Sequence, residues 1–113
     1  MLDRAAVIVD NFNSARYRLG HAGGHYESFF LRANHPTKPL AFWIRYTVFS
    51  PIGRPSNAIG ELWAVVFNGE TGEHAVGKSE LPIDRCSFGD DRLAASIADS
   101  NLAPGVLVGS AWR

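Results

Sequence analysis

The stretch that decides the fold is HYESFFLRAN, residues 25–34, followed by PLAFWIRYTVFS, residues 39–50. Both segments are dense in aromatic and β-branched residues, and the turn-forming residues NHPTKP, 34–39, join them. Glu27, Arg32 and Arg45 nevertheless stand among the aromatic residues. The pattern predicts a β-hairpin whose two faces are both largely apolar but carry a few charges.

Further strands follow, separated by the turn clusters SPIGRPSN, 50–57, and NGETG, 68–72, whose Asn68-Gly69 pair is a strong hairpin signal. Residues 93–98 could form either a strand or a short helix capped by Asp90 or Asp91. A strand is favoured there because its neighbours are β and ADSN, 98–101, is typical of a hairpin turn. The sequence therefore predicts an all-β antiparallel meander with strands at 25–33, 40–49, 59–67, 73–80, 93–98 and 106–111.

The 113 residues suffice for one domain, which we expect at 25–113 after an irregular lead-in at 1–24. The apolar run at 5–9 ends at Asp10 and is too short for a signal peptide or a membrane span. Cys86 is the only cysteine, so an internal disulfide is excluded, and we expect a small semi-buried residue there. These features predict a cytoplasmic protein.

Charge and motifs disfavour several function classes. Eleven Lys and Arg balance eleven Asp and Glu, which disfavours a nucleic-acid partner. The four histidines show no metal-ligand spacing and no Gly-x-Ser-x-Gly elbow occurs, so we expect neither a metal, a cofactor nor a hydrolase site. The histidines are His21, His25, His35 and His74.

Alternation assigns the residues of the first three strands to two faces. Folding about the two turns sets Phe29 opposite Ile44, and Ile44 opposite Ala64. One face is then a continuous apolar wall, which we expect to be the core. It comprises Phe29, Leu31, Phe42, Ile44, Tyr46, Leu62, Ala64 and Val66.

The other face is too apolar to meet only water and too charged for an ordinary core. Three explanations stay open. The face could line a ligand cavity, it could be covered by another domain or subunit, or it could be an exposed surface on which Arg45 packs over a tryptophan and pairs with Glu61. It comprises Tyr26, Ser28, Phe30, Arg32, Trp43, Arg45, Glu61, Trp63, Val65 and Phe67.

The run GHYESFFLRANHPTKPLAFWIRYTVFSP, followed by GELWAVVFNGETG, resembles the N-terminal part of a lipocalin-like family. That family includes bacterial carotenoid 1,2-hydratases of the hydroxyneurosporene synthase type, AttH-like proteins and, more distantly, tocopherol cyclase. The resemblance covers about residues 20–111 and implies a lipocalin-like fold. Family members usually carry two consecutive β-barrel units. A small antiparallel barrel needs about eight strands to close, and the sequence predicts five or six. We therefore expect an incomplete barrel or open sheet that associates with a copy of itself or with a missing second half.

The resemblance also implies an apolar, isoprenoid or lipid-like ligand. Hydration or cyclisation of an isoprenoid double bond needs a proton donor in an apolar pocket, and Glu27 and Glu61 are the carboxylates that lie in aromatic strands. The family's proposed catalytic carboxylates lie further along a full-length chain, so none is carried over onto this sequence.

Three functional hypotheses result. The first is a module that binds an apolar small molecule, for which we expect Phe30, Trp43, Arg45, Glu61 and Trp63 to line the site. The second is a hydratase or cyclase with Glu27 or Glu61 as the acid. The third is a structural fragment that docks onto a second half or onto itself.

Overall fold

In the computed structural model, which describes residues 12–111, the chain forms two four-stranded antiparallel sheets. The large sheet has the order β1-β2-β3-β4 and the small sheet the order β5-β6-β7-β8, so within each sheet every strand pairs with its sequence neighbours. Short 3₁₀ helices at Pro55–Asn57 and Ile83–Arg85 lie in the connections. The strands are β1 His25–Asn34, β2 Leu40–Ser50, β3 Ile59–Asn68, β4 Glu73–Pro82, β5 Cys86–Phe88, β6 Ala95–Ile97, β7 Ser100–Ala103 and β8 Val106–Val108.

The prediction of an all-β antiparallel meander with an open sheet is confirmed. Neither sheet closes into a barrel. The count of five or six strands was wrong, because β5 and β7 are only three and four residues long and show no readable alternation. The segment predicted at 93–98 is a strand, β6, and the predicted turn at ADSN joins it to β7 through Ala98 and Asp99. The apolar run at 5–9 lies outside the described residues.

The register of the large sheet is confirmed for one hairpin and wrong for the other. Ile44 pairs with Ala64 as expected. Phe29, however, pairs with Tyr46 rather than Ile44, a shift of two residues that keeps every side chain on its predicted face. The cause is His35, whose Nδ1 accepts hydrogen bonds from the main-chain N–H groups of Thr37 and Lys38 at 3.1 and 3.0 Å and so shapes the loop.

The third hairpin forms, but its turn is longer than the Asn68-Gly69 pair predicts. Gly72 adopts the positive φ of 74°, and its N–H donates to the carbonyl oxygen of Asn68 at 2.9 Å. Gly69 serves another purpose, because its N–H donates to the carbonyl oxygen of Pro39 at 2.6 Å and a methyl group there would lie 2.9 Å from the Pro39 ring. The loop thus ties two hairpins together.

The predicted apolar wall is the inner face of the large sheet, against which the small sheet packs. Tyr46, Leu62 and Ala64 of the wall are buried together with Ile97 and Leu102 of the small sheet. The lead-in joins this layer: the N–H of Ala15 donates to the carbonyl oxygen of Gly89 at 2.6 Å. Two packed layers bury one apolar face each, which is the simplest way for such sheets to form a core.

Candidate functional site

The five residues predicted to line a site come together on the outer face of the large sheet, the side turned away from the small sheet. Arg45 of β2 pairs with Phe30 of β1 on one side and with Trp63 of β3 on the other. Residues paired across antiparallel strands point to the same side, so the three form one row. Trp43 and Glu61 lie one row to either side of it. The sequence therefore placed these residues on a common surface.

Arg45 is at the centre of this group. Its guanidinium carbon lies 5.4 Å from the ring centre of Trp43 and 5.6 Å from that of Trp63, within cation–π range of both. Its Nε is buried and has no hydrogen-bond partner within the described part of the chain. The two indole rings, rather than a carboxylate, are thus the neighbours that stabilise this cation.

The expected ion pair between Arg45 and Glu61 was wrong, because a different cation pairs with Glu61. Lys78 of β4 provides the positive charge, with its Nζ 3.7 Å from Glu61 Oε2 and 3.4 Å from Glu80 Oε2. The same ammonium lies 4.9 Å from the ring centre of Trp63, whose Nε1 donates to Glu61 at 3.0 Å. Lys78 was missed because its strand alternates weakly, although its pairing with Trp63 places it on the row of Arg45.

Glu27, the other carboxylate considered as an acid, holds the lead-in against β1. It accepts the main-chain N–H of Arg16 through both oxygens at 3.0 Å, and its Oε1 lies 2.8 Å from His25 Nε2. The His25 ring in turn contacts Tyr17 at a centroid distance of 5.6 Å. These contacts give Glu27 a structural role at the entry to the sheet.

A cleft opens on the inner face, between the large sheet and the segment that follows β8. Its volume is about 360 Å³. Most of its surface is aliphatic or aromatic, and none of the residues that line it is charged. They are Phe42, Ile44, Tyr46, Leu62, Ala64, Val65, Val66, Leu107, Gly109, Ser110 and Ala111.

Two serines fix the segment that closes one side of this cleft. Ser79 Oγ donates to the carbonyl oxygen of Ala111 at 3.1 Å, and the N–H of Ser110 donates to Ser100 Oγ at 3.1 Å. Gly109 allows the approach, because a methyl group there would lie 2.8 Å from Ser100 Cα. The wall of the cleft is therefore held by hydrogen bonds that reach both sheets.

Tyr46 is the main polar group near the apolar lining. Burial raises the pKa of the Tyr46 phenol to about 12, while a hydrogen bond with the Ser100 side chain opposes part of that rise. Burial also raises the pKa of the Cys86 thiol, which is half-buried as expected. Tyr46 is thus neutral across the physiological range, and the cleft presents no charge to a ligand.

The sequence predicted the wall of the cleft but not the cleft itself. Phe42, Ile44 and Val66 were assigned to the core, where they would have been fully covered. The small sheet covers only the half of the wall nearer Tyr46 and Leu62, because its strands are short, and Val66 keeps 43% of its surface exposed. The short strand Val106–Val108 is apolar throughout, so no signal in the sequence indicated that Leu107 faces this wall.

Comparison with protein-family models finds no match, and neither curated protein sequences nor solved structures match the chain. Within residues 12–111, no helix has the length and apolar character needed to cross a membrane. The same residues hold no cluster of three or more His, Cys, Asp or Glu side chains suited to a metal ion. The site must therefore be interpreted from its own geometry.

Proposed function

We propose that this chain is a lipocalin-like module that binds a small apolar molecule in the cleft on the inner face of its large sheet. The observation that carries the proposal is a cleft of about 360 Å³ beside the core, with no charged residue in its lining. Ligand sites in proteins are commonly clefts of about 300–1,000 Å³ with predominantly apolar walls and few polar groups. The cleft has this character, with Phe42, Ile44 and Leu107 as its apolar contacts.

The volume and lining restrict the ligand class. A cleft near the lower end of the usual size range suits a short isoprenoid or a medium-length acyl chain better than a long polyene. An anionic head group would find no cation among the lining residues. Burying such a charge without a partner is costly, so a neutral ligand such as a terpenoid alcohol is preferred over a carboxylate.

Binding without catalysis is the form of this proposal that the contacts favour. An acid that protonates an alkene must face the apolar cavity where the alkene lies. Glu61 instead contacts Lys78 and the indole N–H of Trp63 on the opposite face of the sheet. Glu27 accepts hydrogen bonds at the entry to β1, and neither carboxylate lines the cleft.

Displacement of a neutral fluorescent probe tests the proposal. The probe N-phenyl-1-naphthylamine should gain fluorescence in the presence of the protein, and geraniol should displace it. Val66→Trp should weaken probe binding at least tenfold, because the indole would occupy the open part of the cleft. The proposal is abandoned if the wild-type chain binds neither compound.

A matched control is available in Val106, which is 46% exposed where Val66 is 43% exposed. Val106 does not line the cleft, so Val106→Trp should leave probe affinity unchanged. Equal weakening by both substitutions would place the bound probe elsewhere and contradict the assignment of the cleft. Far-ultraviolet circular dichroism of both variants establishes that each retains its sheets.

A further inference from the structure

The outer face of the large sheet combines exposed apolar side chains with charges in a fixed pattern. Tyr26, Phe30 and Val76 are 60%, 64% and 54% exposed, and Phe49 and Phe67 are 40% and 44% exposed. The molecule measures only 21 Å along its shortest axis, about two layers of sheet. So many exposed aromatic residues on one face of a thin protein are characteristic of an interaction surface.

The pairing register places these residues in rows across the four strands. One row holds Phe30, Arg45, Trp63 and Lys78. The row on one side holds Ser28, Thr47, Glu61 and Glu80, and beyond it lies the apolar row of Tyr26, Phe49, Ile59 and Pro82. The row on the other side holds Arg32, Trp43, Val65 and Val76.

This pattern is complementary to itself about one particular two-fold axis. An axis that runs along the strands, between β2 and β3, sets β2 of one copy over β3 of the other and β1 over β4. The strands of the two copies then align, as they do in packed sheets. Arg45 faces Trp63 of the second copy, Lys78 faces Phe30, and Phe49 faces Ile59.

Charge supports this arrangement over a two-fold axis that crosses the strands at the row of Arg45. With the axis along the strands, Glu61 faces Thr47, Glu80 faces Ser28 and Arg32 faces Val76, so no charge lies opposite a like charge. With the axis across the strands through the row of Arg45, Arg45 would face Arg45 and Lys78 would face Lys78. Like charges opposed in an interface cost several kcal/mol, so the first axis is preferred to the axis through the row of Arg45.

The area is sufficient for a specific dimer. Four strands about 4.8 Å apart, each of about ten residues at about 3.4 Å, give a face on the order of 650 Å². Two copies would bury on the order of 1,300 Å², within the range of about 1,200–2,000 Å² typical of stable complexes. The cleft lies on the inner face and stays open in this arrangement.

We infer that the outer face binds a second copy of this chain, with the two large sheets packed face to face about an axis along β2 and β3. The inference is independent of ligand binding in the cleft. It assigns Trp43, Arg45 and Trp63 to the centre of the interface, where aromatic and arginine side chains contribute most.

Sedimentation equilibrium over a hundredfold range of concentration tests the inference. The wild-type chain should be a dimer that dissociates on dilution, and its tryptophan emission should shift to longer wavelength as Trp43 and Trp63 become hydrated. Phe49→Asp should raise the dissociation constant at least a hundredfold, because it would bury a carboxylate against Ile59 of the second copy. Tyr26→Asp is the second variant, should the first fail to fold.

The control is Ile52→Asp, which changes an exposed isoleucine, 79% accessible, in the connection after β2. This change should leave the dimer intact. A wild-type chain that stays monomeric at every concentration would overturn the inference. A dimer that Phe49→Asp and Tyr26→Asp both leave unchanged would overturn it as well, since association would then use another surface such as a sheet edge.

Discussion

Ser79 and Ala111, 32 positions apart in the chain, are joined by a 3.1 Å hydrogen bond from the serine hydroxyl to the alanine carbonyl oxygen. Both residues are buried, at 7% and 2% exposure. Ser79→Ala should lower the free energy of unfolding by about 1–2 kcal/mol, because the carbonyl loses its partner in a buried position. Urea denaturation measures the change.

The same substitution should also weaken binding of the neutral probe, since Ala111 forms part of the cleft wall. Ser87→Ala, an exposed serine of β5, is the control and should alter neither quantity. If Ser79→Ala proved as stable as the wild type, the segment after β8 would not depend on this hydrogen bond.

Stability should fall in strongly alkaline solution because of Tyr46. Its pKa is about 12 in the folded chain and about 10 when unfolded, so the unfolded state loses its proton first as the pH rises. The raised pKa contributes on the order of 2 kcal/mol to the free energy of unfolding. This contribution is complete below about pH 10 and is lost between about pH 10 and 12. Urea midpoints at pH 9 and pH 11 measure it, and Tyr46→Phe should remove this component of the decline.

Adding a side chain at Gly60 should destabilise the fold. A methyl group at this position of β3 would meet the Cys86 sulfur and would lie 3.2 Å from Ile97 Cγ1, where the two sheets approach closely. Gly60→Ala should therefore destabilise the fold by about 1–3 kcal/mol. In the Cys86→Ala background the same change should cost clearly less, because the sulfur is gone. Additive effects in that double-mutant cycle would contradict the proposed contact.

Replacing Ala98 with glycine should stabilise the fold. It is the one non-glycine residue in the described part of the chain with a positive φ, 50°, and it occupies the two-residue turn between β6 and β7. Ala98→Gly should raise the free energy of unfolding by about 1 kcal/mol, because glycine adopts this conformation without steric cost. The midpoint of thermal unfolding should rise accordingly. Ala103→Gly, within β7, should instead lower it.

The sequence was most informative where strands are long. Ten-residue strands alternate often enough to separate Trp63 from Leu62 and so to assign both faces of the large sheet. It was least informative in the small sheet, where three residues such as Cys86–Phe88 cannot display a period. The register at the loop of His35 escaped prediction for another reason: a side chain that accepts main-chain N–H groups shapes this loop, and composition does not reveal such bonds.

The candidate site divides in the same way. That Phe30, Trp43, Arg45, Glu61 and Trp63 share a surface follows from alternation alone. That Lys78 takes the place beside Glu61 depends on the register of β4, and the cleft depends on how far the small sheet extends over the wall. Such a boundary is set by packing between segments distant in sequence, which local patterns do not encode.

Each strand pairs only with the strands that precede and follow it, from β1 to β4 and again from β5 to β8. A chain with this connectivity can fold in the order of its synthesis, since each hairpin closes with residues already made and waits for no distant strand. Each formed strand then offers its free edge to the next strand of the same sheet. The early exposure of Phe30 and Trp43 on the first hairpin makes that stage the one at which a nascent chain would most need protection from aggregation.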